Sequence, residues 1–127
     1  MDDIERVRTA VEKYWASANA HDWDTFETLI AEGIVYELPQ SKERITGKEK
    51  YLQFNREYPG DWHASVHRIV AEADGAVCWI KMAEKGEIAD AVIFYEVDAE
   101  GVFTRVTDFW PESYEPPKGR EHLVERY

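Results

Sequence analysis

The chain has 127 residues and a formal net charge of −11, from 15 basic and 26 acidic side chains. A field of that sign repels nucleic-acid phosphates and anionic lipid surfaces, so neither nucleic acid nor a membrane is expected as a partner. The single cysteine, Cys78, excludes an intrachain disulfide and a cysteine-cluster metal site, and no cofactor or metal is expected. We expect one cytoplasmic domain over residues 1–127, because no apolar signal segment or membrane-length apolar run is present.

Three helices are predicted in the first half of the chain. Apolar residues recur at three- and four-residue intervals over 3–20, which indicates an amphipathic helix. The stretch "HDWDTFETLI" opens a second helix, with Asp22 or Asp24 as N-cap, and Gly33 ends it. A capping-box pattern predicts a third helix over 46–58, which "PG" closes.

Strands dominate the rest of the chain. "IVYEL" is a short strand that Pro39 stops, and "PQSKERITG" is a polar loop, either a turn or a gate over a pocket. Four apolar-rich runs then follow, at 62–72, 76–84, 87–97 and 102–110. Their separators "ADG", "EKG" and "AEG" each end in glycine, as three-residue hairpin loops do, and the tail is an extended exit with a short helical end.

The element order predicts an α+β fold. Three N-terminal helices pack on one face of a curved, mostly antiparallel sheet. Such a cone-shaped α+β barrel encloses a pocket between the helices and the sheet.

Loop lengths predict which side chains share a face of this sheet. If "AEG" is a three-residue loop, Asp98 faces Val102, and Asp108 pairs with Val92. A two-residue "EKG" loop would slip one strand and place Trp79 and Lys81 on the same face. With three-residue loops throughout, the interior face carries Asp90, Val92, Phe94, Val106, Asp108 and Trp110, together with Cys78, Ile80, Met82, Val66, Arg68 and Val70.

Asp108, in "RVTDFWPE", is the main candidate for chemistry. It lies on a nearly apolar face, where a carboxyl group gains proton affinity and suits general acid–base work. Asp90 lies diagonally from it, roughly 7–8 Å away by strand geometry, and Arg68 approaches from a neighbouring strand. The alternative is a structural Arg–Asp pair at the rim of the pocket. The aromatic residues that either line the cavity or belong to the core are Tyr36, Phe54 and Trp62.

Three passages resemble the nuclear transport factor 2-like superfamily and, within it, the SnoaL-like domains: "YWASANAHDWDTFETLI", "VYELPQSKERITGKE" and "VTDFWPESYEPP". The resemblance covers essentially the whole chain. It implies an acid–base role for Asp108, which matches the last-strand aspartate of SnoaL-like cyclases and limonene epoxide hydrolase. It also implies an oxyanion role for Tyr14, which matches the first-helix tyrosine of ketosteroid isomerase. Leu38 and Ile93 replace that isomerase's base and its oxyanion carboxylic acid.

Two functions follow from these patterns. The first is a small enzyme that isomerises, cyclises or adds water to a small hydrophobic molecule, with Asp108 as acid–base. The second is a non-catalytic ligand-binding or dimerisation domain. The other candidate catalytic residues are Asp90, Arg68 and Tyr14. The candidate ligand contacts are Tyr36, Phe54, Trp62, Val92, Phe94, Val106 and Trp110. The resemblance also implies a homodimer, through an exposed sheet face that carries Ile69, Ile93, Tyr95 and Phe109.

Overall fold

The computed structural model describes residues 2–127 and contains three helices. They are α1 (Asp3–Asn19), α2 (Trp23–Thr28) and α3 (Lys48–Arg56). The side chain of Asp2 begins α1 by accepting a 2.8 Å hydrogen bond from the backbone N–H of Glu5. Asp22 begins α2 in the same way, through the backbone N–H of Thr25, which confirms the predicted N-cap.

Six strands form one sheet in the described chain. They are β1 (Ile30–Leu38), β2 (Glu43–Thr46), β3 (Trp62–Glu72), β4 (Gly75–Glu84), β5 (Glu87–Val97) and β6 (Phe103–Phe109). The spatial order is β2-β1-β6-β5-β4-β3, with β1 parallel to β6 and the other neighbours antiparallel. The predicted α+β class and mostly antiparallel sheet are confirmed.

Several predicted elements are wrong at their boundaries. Gly33 lies inside β1 instead of ending α2. The segment "ERIT", expected in a loop, pairs with β1 as β2 after a turn in which Lys42 has φ 59°. α3 begins after Gly47, which has φ 102° and provides no side-chain cap. Residues 111–127 contain turns but no helix.

The hydrophobic core lies between the helices and one side of the sheet, which we call the inner face. α1 contributes buried side chains such as Val11 and Tyr14, and α3 contributes the fully buried Tyr51. The side chain of Asn19 joins α1 to β3 by donating to the backbone oxygen of Ala64 at 2.7 Å and accepting from its N–H at 2.8 Å. We call the opposite side of the sheet the outer face.

A β-bulge decides which side chains of β6 face inward. Val97 pairs with Phe103, as a three-residue "AEG" loop predicts. Glu96, however, pairs with Arg105, so Thr104 is an extra residue in β6. Every pairing beyond the bulge is shifted by one residue relative to the prediction.

The shift separates Asp108 from its predicted neighbours. Asp108 pairs with Ile93 rather than Val92, and both side chains lie on the inner face. Successive side chains of a strand alternate between faces, so Asp90, Val92 and Phe94 lie on the outer face. Phe94 is accordingly 47% exposed. The predicted register of β5 against β6 is therefore wrong.

The loop between β4 and β5 has two residues, not three. Glu84 pairs with Glu87, and Lys85 and Gly86 between them have φ 51° and 81°. This one-residue shift of β4 against β5 offsets the shift caused by the bulge in β6, so the side chains of β4 keep their predicted orientation. Two groups result: the inner face keeps Cys78, Ile80 and Met82, while Trp79 and Lys81 join Asp90 on the outer face.

The loop between β3 and β4 also has two residues, not three, because Glu72 pairs with Gly75. Arg68 and Val70 therefore point outward, opposite Trp79 and Val77, and a bulge at His67 restores the predicted orientation further along β3. Their predicted inward orientation is wrong, whereas Val66 pairs with Ile80 on the inner face.

The predicted exposed face is also largely wrong. Ile93 and Tyr95 are buried, at 0% and 2% exposure, and Ile69 packs against the core. Of the four residues expected there, Phe109 lies on the outer face, at 39% exposure.

Candidate functional site

A cavity of about 260 Å³ lies between the helices and the inner face. Half of the residues that line it are aromatic: Tyr14, Trp15, Tyr36, Phe54, Tyr58, Trp62 and Trp110. Within residues 2–127, no lysine, arginine or histidine lines it, and Asp108 is its one acidic residue. The cavity therefore offers an apolar surface with a single ionisable carboxyl group.

Asp108 is held in this wall by β6 and is 6% exposed. The Tyr36 hydroxyl donates a 2.5 Å hydrogen bond to its Oδ2. Its Oδ1 is buried and has no hydrogen-bond partner among the described residues. Burial raises the pKa of Asp108 to about 6, against the opposing effects of the Tyr36 hydroxyl and the nearby Trp110 side chain. A carboxyl group with this pKa exchanges protons readily near neutral pH.

A pair of tyrosine hydroxyls lies deeper in the fold. Tyr14 of α1 and Tyr51 of α3 share a hydrogen bond and are both buried. Burial raises the pKa of each hydroxyl above its ordinary value, so both stay protonated. The rings of Tyr51 and Tyr36 lie 4.8 Å apart, which brings this pair close to the group that holds Asp108. The sequence analysis missed Tyr51; its place on a predicted helix carries no signal that its hydroxyl meets α1.

Gln40 anchors the loop after β1 to the end of β6. Its Nε2 donates to the backbone oxygen of Asp108 at 3.3 Å, and its Oε1 accepts from the backbone N–H of Trp110 at 3.2 Å. The side-chain amide thus continues the β1–β6 hydrogen bonding beyond Pro39, where β1 has ended. Gln40 and the neighbouring Ser41 both line the cavity.

The structure brings together part of the predicted site. The predicted residues that line the cavity are Tyr14, Tyr36, Phe54, Trp62, Asp108 and Trp110. Val106 is fully buried in the core and is absent from the wall. Val92 and Phe94 lie on the outer face, so the prediction that they line the pocket with Asp108 is wrong.

The predicted convergence of Asp90 and Arg68 on Asp108 is also wrong. Asp90 lies on the outer face, where Lys81 and the Trp79 indole N–H donate to its Oδ1 at 2.9 and 2.8 Å. These two donors lower the pKa of Asp90. Arg68 is exposed on the outer face of β3. The two-residue loop between β3 and β4 turns Arg68 outward, and the bulge in β6 separates Asp90 from Asp108.

Other reactive groups in the described chain are few. Cys78 is buried, and burial raises the pKa of its thiol to about 12, so the reactive thiolate does not form at neutral pH. Within residues 2–127, no three histidine, cysteine, aspartate or glutamate side chains are arranged to hold a metal ion. Over the same range, none of the helices combines the length and apolar character that crossing a membrane requires.

Comparison with known proteins places this geometry in a family. A solved structure from Kribbella flavida DSM 17836, provisionally described as a ketosteroid isomerase, is 49% identical, with a TM-score of 0.95. The match covers 100% of this chain and 93% of that one. A search of curated protein sequences found no significant match.

Two more distant structures share the fold alone. An LEH-like epoxide hydrolase from Mycobacterium tuberculosis is 20% identical, with a TM-score of 0.72, over 85% of this chain and 84% of that one. RV0760c from the same organism, solved in complex with estradiol-17beta-hemisuccinate, is 19% identical, with a TM-score of 0.71, over 84% of this chain and 94% of that one. The SnoaL-like domain profile matches residues 11–110. The predicted resemblance is confirmed, and the chain belongs to the SnoaL-like domain family, with a nuclear transport factor 2-like fold.

Proposed function

We propose that this chain binds a small, mostly apolar molecule in the cavity and performs acid–base chemistry on it, with Asp108 as the proton-transfer group. The supporting observation is the unpartnered Oδ1 of a carboxyl group that is 6% exposed. Burying such a group without a counter-ion costs free energy. A buried carboxyl group with a perturbed pKa in a cleft is typical of a functional site.

The neighbours of Asp108 give its two oxygens different roles. Tyr36 occupies Oδ2 and fixes the plane of the carboxyl group, which leaves Oδ1 to exchange a proton with the substrate or with a water molecule beside it. Tyr14 also lines the cavity, and its hydroxyl, which is paired with that of Tyr51, can donate to an oxyanion that forms there. The aromatic walls exclude water. This arrangement suits isomerisation, cyclisation or water addition on an uncharged substrate.

A non-catalytic binding domain is the second candidate. The observation that favours it is the position of Asp90 and Arg68 on the outer face. Among residues 2–127, Asp108 consequently has no second charged group beside it in the cavity wall to share the proton transfer.

The variant Asp108→Asn tests catalysis, because it keeps the side-chain shape and removes the exchangeable proton. Suitable probes are hydration of cyclohexene oxide and deuterium exchange next to the carbonyl of cyclohexanone. We expect the rate to fall on the order of 100- to 10,000-fold, while probe binding, followed by tryptophan fluorescence, persists. Asp90→Asn, on the opposite face, is the matched control and should leave the rate unchanged. An active wild type that tolerates Asp108→Asn would overturn the catalytic proposal; probe binding without turnover would support the binding domain.

We also propose a homodimer formed through the outer face. Exposed apolar side chains there include Val70, Trp79, Ile88, Phe94 and Phe109, at 39–68% exposure. Lys81 and Asp90 on this face neutralise each other through a 2.9 Å ion pair, and Arg68 adds a positive charge. Two copies of a chain with net charge −11 can therefore meet here with little repulsion. Light scattering should give a dimer at micromolar concentration and a monomer for Phe94→Lys; a monomeric wild type would contradict this proposal.

A further inference from the structure

A second cavity, of about 370 Å³, adjoins the first at the open end of the sheet. We call it the vestibule, and the first cavity the inner chamber. The two share four wall residues: Tyr58, Trp62, Met82 and Trp110. Because the wall is shared, one elongated ligand can occupy both spaces.

Two carboxylates distinguish the vestibule from the inner chamber. Glu84 and Glu87 pair across the β4–β5 turn, and Glu84 also pairs with Trp62 of β3, so all three side chains point to the inner face. The carboxylate of Glu84 lies directly over Gly60, where any side chain would displace it. Burial first, and then the charges of Asp108 and Glu84, raise the pKa of the Tyr58 hydroxyl. Tyr58 lines both chambers and is within electrostatic reach of a carboxylate from each.

No ion pair in the described chain neutralises these carboxylates, although Lys85 lies in the turn between them, outside the walls of both chambers. Neither Glu84 nor Glu87 takes part in an ion pair within residues 2–127. No lysine, arginine or histidine from that range lines either chamber. An anionic ligand would therefore meet uncompensated repulsion along the whole cavity.

We propose that the vestibule binds the positively charged end of an organic amine whose apolar ring occupies the inner chamber. Aromatic faces beside carboxylates are the combination that recognises ammonium groups, and Tyr58, Trp62 and Trp110 supply the faces. An independent observation at the inner end also points to a ligand: Asp108 lines the inner chamber, and its buried Oδ1 has no hydrogen-bond partner among the described residues. The proposal rests on the proposed function only in assuming that an apolar molecule occupies the inner chamber.

Three probes with one carbon skeleton test the vestibule: 4-phenylbutylamine, 4-phenylbutanol and 4-phenylbutyrate. Their dissociation constants are measured by calorimetry and tryptophan fluorescence at low and high salt. An exposed ion pair or cation–π contact lowers a dissociation constant by up to about fivefold. We expect the amine to bind about five- to tenfold more tightly than the alcohol at low salt, and the carboxylate most weakly. High salt should shrink the preference for the amine.

Variants locate the charge that is responsible. Glu84→Gln/Glu87→Gln should remove the preference for the amine and leave alcohol binding unchanged. Glu12→Gln, an exposed change on α1, is the matched control and should keep the preference. Equal binding of amine and alcohol to the wild type would overturn the vestibule proposal, and so would a preference that survives the double variant but disappears in Asp108→Asn. Failure of the alcohol to bind would overturn occupancy of the inner chamber, on which the proposed function depends.

Discussion

Replacing Asp108 by asparagine should stabilise the protein at neutral pH. The wild-type carboxyl group has a folded pKa of about 6, above its ordinary value of 3.8, because it is buried. Between these pH values the folded protein binds more protons than the unfolded chain, so the stability of the wild type falls as the pH rises from about 4 to about 6. Asparagine carries no charge, so the stability of Asp108→Asn does not fall in this way over the same pH range.

The size of the effect follows from the pKa difference. A difference of about two in pKa corresponds to about 3 kcal/mol of unfolding free energy. Below about pH 4 the carboxyl group is protonated in both states, and the penalty disappears. The advantage of Asp108→Asn over the wild type should therefore grow by up to about 3 kcal/mol between pH 4 and pH 7.5.

Urea unfolding of both proteins across this pH range measures the difference, and other titrating groups cancel in the comparison. Asp90→Asn is the control, because its effect on the unfolding free energy should depend on pH in the opposite direction. Lys81 and Trp79 lower the pKa of Asp90, so its contribution is present at neutral pH and is lost only as the pH falls through that lowered value. A stability difference between Asp108→Asn and the wild type that is constant from pH 4 to pH 7.5 would refute the reasoning, because it would mean that the carboxyl group is solvated.

Three further predictions concern the hydrogen bonds around the cavity. Tyr36→Phe removes the donor to Oδ2 and should raise the pKa of Asp108 by about one or more, measured by carboxyl ¹³C NMR, since hydrogen bonds to charged groups contribute about 1.5–3 kcal/mol. Tyr14→Phe and Tyr51→Phe should each cost about 1–3 kcal/mol in urea unfolding, and the double variant less than their sum. Asn19→Ala should cost about 1–3 kcal/mol by removing both contacts to β3, without changing the pKa of Asp108.

Each of these predictions has a defined contrary result. A pKa of Asp108 that stays constant or falls in Tyr36→Phe would mean that the hydroxyl does not stabilise the charged carboxylate. Strictly additive costs for Tyr14→Phe and Tyr51→Phe would mean that the two hydroxyls do not interact. An Asn19→Ala protein as stable as the wild type would show that these two hydrogen bonds do not hold α1 against β3.

Local sequence signals predicted much of the architecture. The apolar spacing of α1, the N-cap of α2 and the positions of the meander's turns depend on neighbouring residues, so a single sequence suffices to find them. The lengths of two of the three turns were wrong, because Glu72 pairs with Gly75 and Glu84 with Glu87. β2 was missed because its four residues are mostly exposed and lack the apolar alternation of a strand. Pairing with β1, a tertiary effect, makes it a strand.

The cavity was only partly predictable, for a different reason. Asp108 was assigned to the correct face because the alternation along its own strand places it on the same side as the buried Val106. Its neighbours across the sheet were misassigned because bulges depend on the packing of the whole sheet and leave no signature in a single sequence. The contact between Tyr14 and Tyr51 likewise joins two helices 37 positions apart, beyond the range of local patterns.

The unpaired Thr104 sets which side of the last strand faces the helices. With Thr104 in the bulge, the carboxyl group of Asp108 and the indole of Trp110 face the helices. If Thr104 instead paired with Glu96 in a regular ladder, every later side chain of the strand would change sides. Asp108 and Trp110 would then turn toward the outer face, and Thr107 and Phe109 would enter the cavity. In this chain, one irregularity in strand pairing determines whether the cavity holds an ionisable group at all.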